Sequence, residues 1–302
     1  MRFDVTLKHR LGNNGQTHLS YDHMTDSNVT SHSNTEDNGF QNLCIMPSVV
    51  TLIGFRRQTQ HKLGTGTYYW YTEDGTCSYP PPELPPVAKH PGITDFVALN
   101  RPQFFGSLAC GMCFSVNGSG VGLGLNPIIG QHIVFVKDMC PECKTGMAMG
   151  MKVCRGLFFT FETGLAGDID FSQTADGRWN ISFQAIQCPV GNTSIEYKLQ
   201  GSNTYYLKLQ VRNARIPATF VEMSTPDLSW FPLEHTTDGF WVARFPKGVT
   251  YPLNLRLTAA NGEVIQDTLS MDYIVNEKVL QGNGVQFTLD NSLPMLSYGN
   301  RR

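Results

Sequence analysis

The segment GDIDFS (167–172) places two carboxylates, Asp168 and Asp170, two residues apart. In an extended strand, residues i and i+2 point to one face. A carboxylic acid there can lend a proton to a leaving sugar oxygen, but glycosidic hydrolysis ordinarily needs a second carboxylate across the bond. Other acids within reach in sequence are Asp138 in VKDMCPEC, and Glu73 and Asp74 in TEDG. Two neighbouring carboxylates raise one pKa and so hold a proton at mildly acidic pH. Cysteines are the second chemical signal, eight in all. LACGMC and CPEC each carry a C-x-x-C pair, a spacing that suits zinc. The alternative is a disulfide framework in an oxidising compartment. His132 and His235 are read as strand or surface histidines rather than ligands.

The elements that would position these groups are β-strands. The chain has 302 residues, enough for two domains with tails. Charged residues make up only 16%, with 29 Gly, 11 Tyr and 18 Phe, a balance that suits a β-rich protein with tight turns. Lys and Arg number 23 against 25 acids, which argues against nucleic acid as a partner. No apolar run reaches the ~18 residues of a membrane span, so no membrane partner is expected. Sequons at Asn28, Asn117, Asn180 and Asn192 permit glycosylation of a secreted chain. The opening MRFDVTLKHRLGNNGQ is not a signal peptide, and the only candidate apolar stretch is CIMPSVVTLIGF (44–55). The true start is therefore expected elsewhere.

Residues 1–60 are polar and aperiodic and are expected to be disordered or a misassigned start. Structure is expected from GTGTYYWY (64–71) onward. HIVFV (132–136) reads as a buried strand, and WNISFQAIQ (179–187) alternates as a half-buried one. From about 194, SIEYKL, YYLKLQV, ATFVEM, FWVARF, LNLRLTA, VIQDTL and VQFTL read as short strands separated by turn residues, the pattern of a β-sandwich. MAMGMKVCRGLFFTFETG (147–164) has no clear period and interrupts the connection to Gly167. Cys44 and Cys154 fall in these two atypical segments, and 147–164 is read as a retained intron.

The motifs GTGTYYW (64–70), ALN with LACGMC (98–100, 108–113), VKDMCPEC (136–143), GDIDFS, QCPV (187–190) and LQVRNARIP (209–217) occur in an order that resembles the expansins. The resemblance covers roughly 64–146 and 166–290. Its variants are closer to microbial expansin-like proteins than to plant ones, and the plant-type HFD triplet is absent. It implies an all-β chain: a six-stranded double-psi β-barrel, similar to family 45 endoglucanases, followed by an immunoglobulin-like β-sandwich. The expected division is 61–193 for the barrel, 194–290 for the sandwich and 291–302 for a tail.

The resemblance also assigns roles. Asp170 falls on the conserved barrel acid, Asp138 on a second acid lining the groove, and Thr67 and Tyr68 on groove residues of the first strand. The hydrolases' general base follows the Thr-x-Tyr-Trp stretch, where this chain has Tyr71, and a phenol with a pKa near ~10 is a poor base. The sandwich's stacking positions carry Tyr205 and Tyr206, often tryptophans in microbial relatives. The third falls on Asp238, so Phe240 is expected to supply the ring, with Trp241 pointing into the core. Trp230 is expected to pack at core or edge, and Arg212 and Asn213 to fix the domain interface. Family practice pairs Cys77 with Cys110, Cys113 with Cys188 and Cys140 with Cys143, leaving no metal site. The implied protein is secreted and monomeric, needs no cofactor, binds cellulose or another β-glucan, and loosens cell walls without hydrolysis. The alternatives are a weak endoglucanase or a lytic transglycosylase, each with Asp170 as acid.

Overall fold

The computed structural model describes residues 59–70, 74–140 and 168–295. Tyr71, Glu73, Cys143, nearly all of 1–60 and the whole of 147–164 lie outside the described residues. Six strands form a closed barrel: β1 (Lys62–Tyr69), β2 (Asp95–Asn100), β3 (Cys113–Leu123), β4 (Ile129–Cys140), β5 (Ile169–Ser172) and β6 (Arg178–Ile186). Their order around the barrel is β1-β5-β2-β4-β3-β6, and β6 pairs back onto β1. The β1/β5 and β2/β4 pairs are parallel and the rest antiparallel, the double-psi arrangement that the motif order implied.

Alternation explains the local structure. In β6, Trp179, Ile181, Phe183 and Ala185 are buried at every second position, while Asn180 between them faces solvent. Ile133 to Val136 are buried without a break, as expected of a strand covered on both faces. Cys77 is bonded to Cys110 and Cys113 to Cys188, across 33 and 75 residues. Cys140 is also disulfide-bonded. Cys110, Cys113 and Cys140, three of the four cysteines in the two C-x-x-C pairs, are thus consumed.

The sandwich has two sheets. One is four-stranded, β10-β9-β13-β14, with β9 (Ala218–Thr225), β10 (Leu228–Pro232), β13 (Leu253–Ala259) and β14 (Val264–Leu269). The other is five-stranded, β11-β12-β8-β7-β15, with β7 (Glu196–Leu199), β8 (Tyr206–Arg212), β11 (Glu234–His235), β12 (Trp241–Arg244) and β15 (Val279–Gln281). Tyr197, Leu207 and Leu209 of one sheet and Val221, Met223, Leu255 and Leu257 of the other are fully buried. The expected strand VQFTL is not one. Its carbonyls are taken by the Ile195 N–H and by Arg215 Nε, so no ladder forms, and residues 279–281 supply the edge strand instead.

On β8, Tyr206, Lys208, Gln210 and Arg212 share the face opposite Leu207 and Leu209. The barrel docks on the far half of that face. Gln210 Nε2 donates to Cys77 O at 2.7 Å, and Arg212 donates to Glu83 O and lies over the Tyr79 ring. Asn213 Oδ1 accepts from the Val87 N–H at 2.9 Å, and Lys198 pairs with Glu83 at 2.7 Å. Arg212 and Asn213 therefore lie where their sequence context placed them, at the junction of barrel and sandwich.

Candidate functional site

Strand register builds a row of side chains across four barrel strands. Thr67 of β1 is the partner of Asp170 of β5, Asp170 is the partner of Ala98 of β2, and Ala98 is the partner of Asp138 of β4. Ile169 and Phe171, on either side of Asp170, belong to the main apolar core, so the row faces away from it. The β2/β4 register shifts between Val97, opposite Val136, and Ala98, opposite Asp138. Lys137 is the extra residue of this bulge. Without it Ala98 would oppose Lys137, and Asp138 would point elsewhere; the bulge re-aims the acid. Asp170 and Asp138 flank a small alanine two strand spacings apart, on the order of 10 Å between Cα atoms.

Asp170 is only 3% exposed and accepts a 2.5 Å hydrogen bond from Thr67 Oγ1. Burial pushes its pKa up, the Thr67 bond pulls it down, and the negative charge of Asp138 pushes it up again, leaving it at about 6. Asp138 is held by three donors on one oxygen: the Thr76 N–H and hydroxyl, both at 2.7 Å, and the Met139 N–H at 2.8 Å. The site thus pairs an acid that keeps its proton in mildly acidic water with an anchored neighbour on the same face.

The two acids of GDIDFS have different work. Asp168 precedes β5 and accepts from the Thr65 N–H at 2.9 Å and from Asn100 Nδ2 at 3.3 Å. Its carboxylate fills the space a Cβ at Gly64 would need, 2.5 Å away. Asp168 ties β1 and β2 to the start of β5, and Asp170 alone joins the row.

Two expected residues are displaced. Tyr68 was expected beside Thr67, but neighbouring residues on a strand face opposite ways. Its register partner is Phe171, 6.0 Å between ring centroids, and its hydroxyl donates to Asn126 O at 2.7 Å. Burial, then Asp95 and Asp176, push its phenol pKa up. The residue that shares the face of Thr67 is Tyr69, packed on Ala98 and Cys140. Counting by two from Thr67 would have found it.

Phe240 is the second correction. It is 0% exposed and cannot offer a stacking face. β12 begins only at Trp241, and residues 236–240 close on themselves through Thr236 N–H to Phe240 O and Phe240 N–H to Thr236 Oγ1, so strand alternation from Asp238 does not apply. Lys208 Nζ lies 4.3 Å from the Phe240 ring and pairs with Asp238 at 2.6 Å, capping the ring. Trp241 does point inward, against His235 at 4.4 Å between rings. Burial lowers the His235 pKa to about 4, so this histidine is neutral.

Tyr205 and Tyr206 remain on the surface. Tyr205 is 62% exposed and precedes β8, and Tyr206 opens the strand, which is how two adjacent residues both reach solvent. Tyr206 shares its sheet face with the interface residues Gln210 and Arg212, so the Tyr206 ring and the docked barrel lie on one face.

The comparisons with known proteins bear on this architecture. No protein-family model matches the chain. It is 28% identical over 149 residues to Expansin-YoaJ of Bacillus subtilis, a match covering 46% of this chain and 53% of that protein. The chain thus spans about half the length of that curated relative. Among solved structures it aligns with the apo expansin of Clavibacter michiganensis at a TM-score of 0.55 and 21% identity, covering 76% of this chain and 100% of that one. The chain is expansin-like in sequence and fold. An Asp-to-Asn variant of the Clavibacter expansin in complex with cellohexaose aligns equally well, at a TM-score of 0.55 and 22% identity over 76% of this chain.

Proposed function

We propose that this expansin-like chain is a secreted, extracellular protein that binds cellulose or a similar β-glucan and loosens cell walls without cutting them. The observation that carries the reading is the row Thr67, Asp170, Ala98, Asp138. Both of its acids lie on one face of one sheet, whereas hydrolysis requires carboxylates flanking the bond. Similarity to expansins, and exposed Tyr205 beside half-buried Tyr206 at the start of the strand that carries the barrel contact, support it. Residues 61–193 would form the groove domain and 194–290 the binding domain, with 291–302 a tail, and the chain would act as a monomer without cofactor.

Below its pKa of about 6, Asp170 carries a proton and donates a hydrogen bond to a glucan oxygen. Asp138 accepts from a sugar hydroxyl, and Tyr69 and Thr67 border the row. Gripping a twisted chain there while Tyr205 holds it on the sandwich weakens lateral glucan contacts, and no covalent bond breaks. Loosening falls as pH rises through about 6, because the ionised carboxylate no longer donates.

A second reading is acid chemistry at the same residue, favoured by the retained proton: a weak endoglucanase, or a lytic transglycosylase, which needs no water-activating base. The test is to incubate the full chain with cellulose and wet paper and to record tensile weakening and soluble reducing ends, for wild type and Asp170→Asn. Weakening without sugar release, lost in the variant, supports the gripping role. Sugar release abolished by the variant overturns it in favour of an enzyme.

A further inference from the structure

Two of the sequons, Asn117-Gly-Ser and Asn180-Ile-Ser, come from distant parts of the chain and meet on the outer wall of the barrel. Both asparagines are exposed, while Val116 and Gly118 around one and Trp179 and Ile181 around the other are buried. Register sets the two sequons side by side and antiparallel. Asn117 of β3 is the partner of Ser182 of β6, and Ser119 Oγ donates to Asn180 O at 3.1 Å. Each asparagine thus lies beside the serine of the other sequon. The same wall carries apolar side chains that the fold leaves uncovered. Leu63 of β1 is the other partner of Ser182 and is 88% exposed. Ile129 of β4 is the partner of Ser119 and is 65% exposed. Asn180 is therefore a diagonal neighbour of Leu63, and Asn117 of Ile129, each pair about 7–8 Å apart. One row across the wall holds Leu63, Ser182, Asn117 and Gln131, and the next holds Thr65, Asn180, Ser119 and Ile129; neither contains a charge. β3 and β6 are the two barrel strands that contribute nothing to the row of Thr67, Asp170, Ala98 and Asp138, so a group on this wall leaves that row open.

We infer that Asn117 and Asn180 carry N-linked glycans whose first sugars lie over Ile129 and Leu63 and cover this wall. The donor is a lipid-diphosphate-linked oligosaccharide. A bond forms from the asparagine Nδ2 to C1 of the sugar as the C1–O bond to the diphosphate breaks. The lipid diphosphate leaves with the electron pair, and the amide gives up one proton. An N-acetylglucosamine ring has an apolar C–H face, and laying it on leucine or isoleucine removes apolar area from water. An uncovered neutral wall with exposed leucine and isoleucine favours association with a second copy, which the glycans prevent. This inference rests on the secreted reading above, because donor and transferase act in the secretory pathway.

The test isolates the native full chain from cells and from medium and treats it with peptide N-glycosidase, which removes each glycan and converts the asparagine that bore it to aspartate. Peptide mass spectrometry is expected to find that conversion at Asn117 and Asn180. Asn192, exposed in the turn after the barrel, is the internal control. A secreted protein with Asn117 and Asn180 unconverted, whatever the state of Asn192, overturns this inference alone. A protein held inside the cells with all three unconverted sinks the secreted reading with it. Coverage is read separately, by light scattering on protein deglycosylated after it has folded. The deglycosylated chain is expected to self-associate, with its apparent mass at least doubled. The variant Leu63→Ser/Ile129→Ser, deglycosylated in the same way, is expected to keep the mass of a single chain. Deglycosylated wild type that stays a single chain overturns the covering role.

Discussion

The barrel and the sandwich place their candidate functional side chains by opposite devices. In the barrel, Asp170 is sunk in a strand row, 3% exposed, and draws its chemistry from burial and from Thr67 and Asp138. On the sandwich, Tyr205 stands before the strand begins, 62% exposed, and draws its use from area left open. The first design spends stability to hold a proton, whereas the second leaves the fold nearly indifferent to the ring. Mutations should therefore separate function from stability differently in the two halves.

The largest contrast is between two rings that each stand one residue before a strand of the same sheet. Phe240→Ala removes a fully buried side chain and is expected to lower unfolding free energy by about 3–5 kcal/mol, read from the denaturant midpoint. Tyr205→Ala should stay within about 0.5 kcal/mol of wild type yet weaken cellulose retention about tenfold. Equal destabilisation by both would erase the distinction between buried and platform rings.

Next in size is Asp170→Asn. The folded state keeps the Asp170 proton up to about 6, while an unperturbed carboxyl loses it near 3.8. Between those values the native state binds more protons than the unfolded one, so rising pH costs stability there. Above that window the charged, buried group costs up to about 3 kcal/mol. The variant should thus melt higher than wild type at pH 7, converge with it below pH 3.8, and loosen paper less. A variant that melts lower at pH 7 would mean the carboxylate stabilises the barrel.

A smaller effect sharpens the geometry inside the barrel. Tyr68→Phe deletes the hydroxyl that bonds Asn126 O and should cost about 1 kcal/mol while leaving loosening unchanged. Tyr69→Ala, on the face of the acids, should reduce loosening. The reverse pattern in paper-weakening assays would restore Tyr68 to the groove.

The smallest expected effect is at His132, paired with Asp95 at 2.9 Å and 27% exposed. The Asp95 bond raises the His132 pKa, while burial opposes it. The pair's contribution, under about 1 kcal/mol after solvent screening, is full below the ordinary histidine value of 6.5 and fades as pH rises through the raised one. Its acid limb lies below 3.8, because the bonds from His132 and Thr94 outweigh burial and hold Asp95 down. Melting temperature against pH for His132→Asn should meet wild type at high pH, opposite to the Asp170 variant, which meets it at low pH.

Much of this was legible in the sequence because strands announce themselves by period. The alternation of Trp179, Ile181, Phe183 and Ala185 showed β6, and motif order located Asp170 and the bonded cysteines. What escaped was parity. Tyr68 and Tyr69 are equally aromatic, and only counting from Thr67 separates their faces. The bulge at Lys137 shifts parity with no residue type to mark it. Phe240 sits one residue before its strand, where alternation has not begun.

β8 carries the barrel contact at Arg212 and the ring at Tyr206 on one seven-residue strand, roughly 20 Å from end to end. It is the middle strand of five, paired with β12 on one side and β7 on the other. On the proposed reading, a pull between the barrel row and the tyrosines crosses the Gln210 and Arg212 contacts and then runs along the β8 backbone. Tension reaches the neighbouring strands as shear across two ladders, where many hydrogen bonds must fail together. On the proposed reading the molecule acts as a stiff bar between its two grips, and the strain it cannot absorb is left to the glucan.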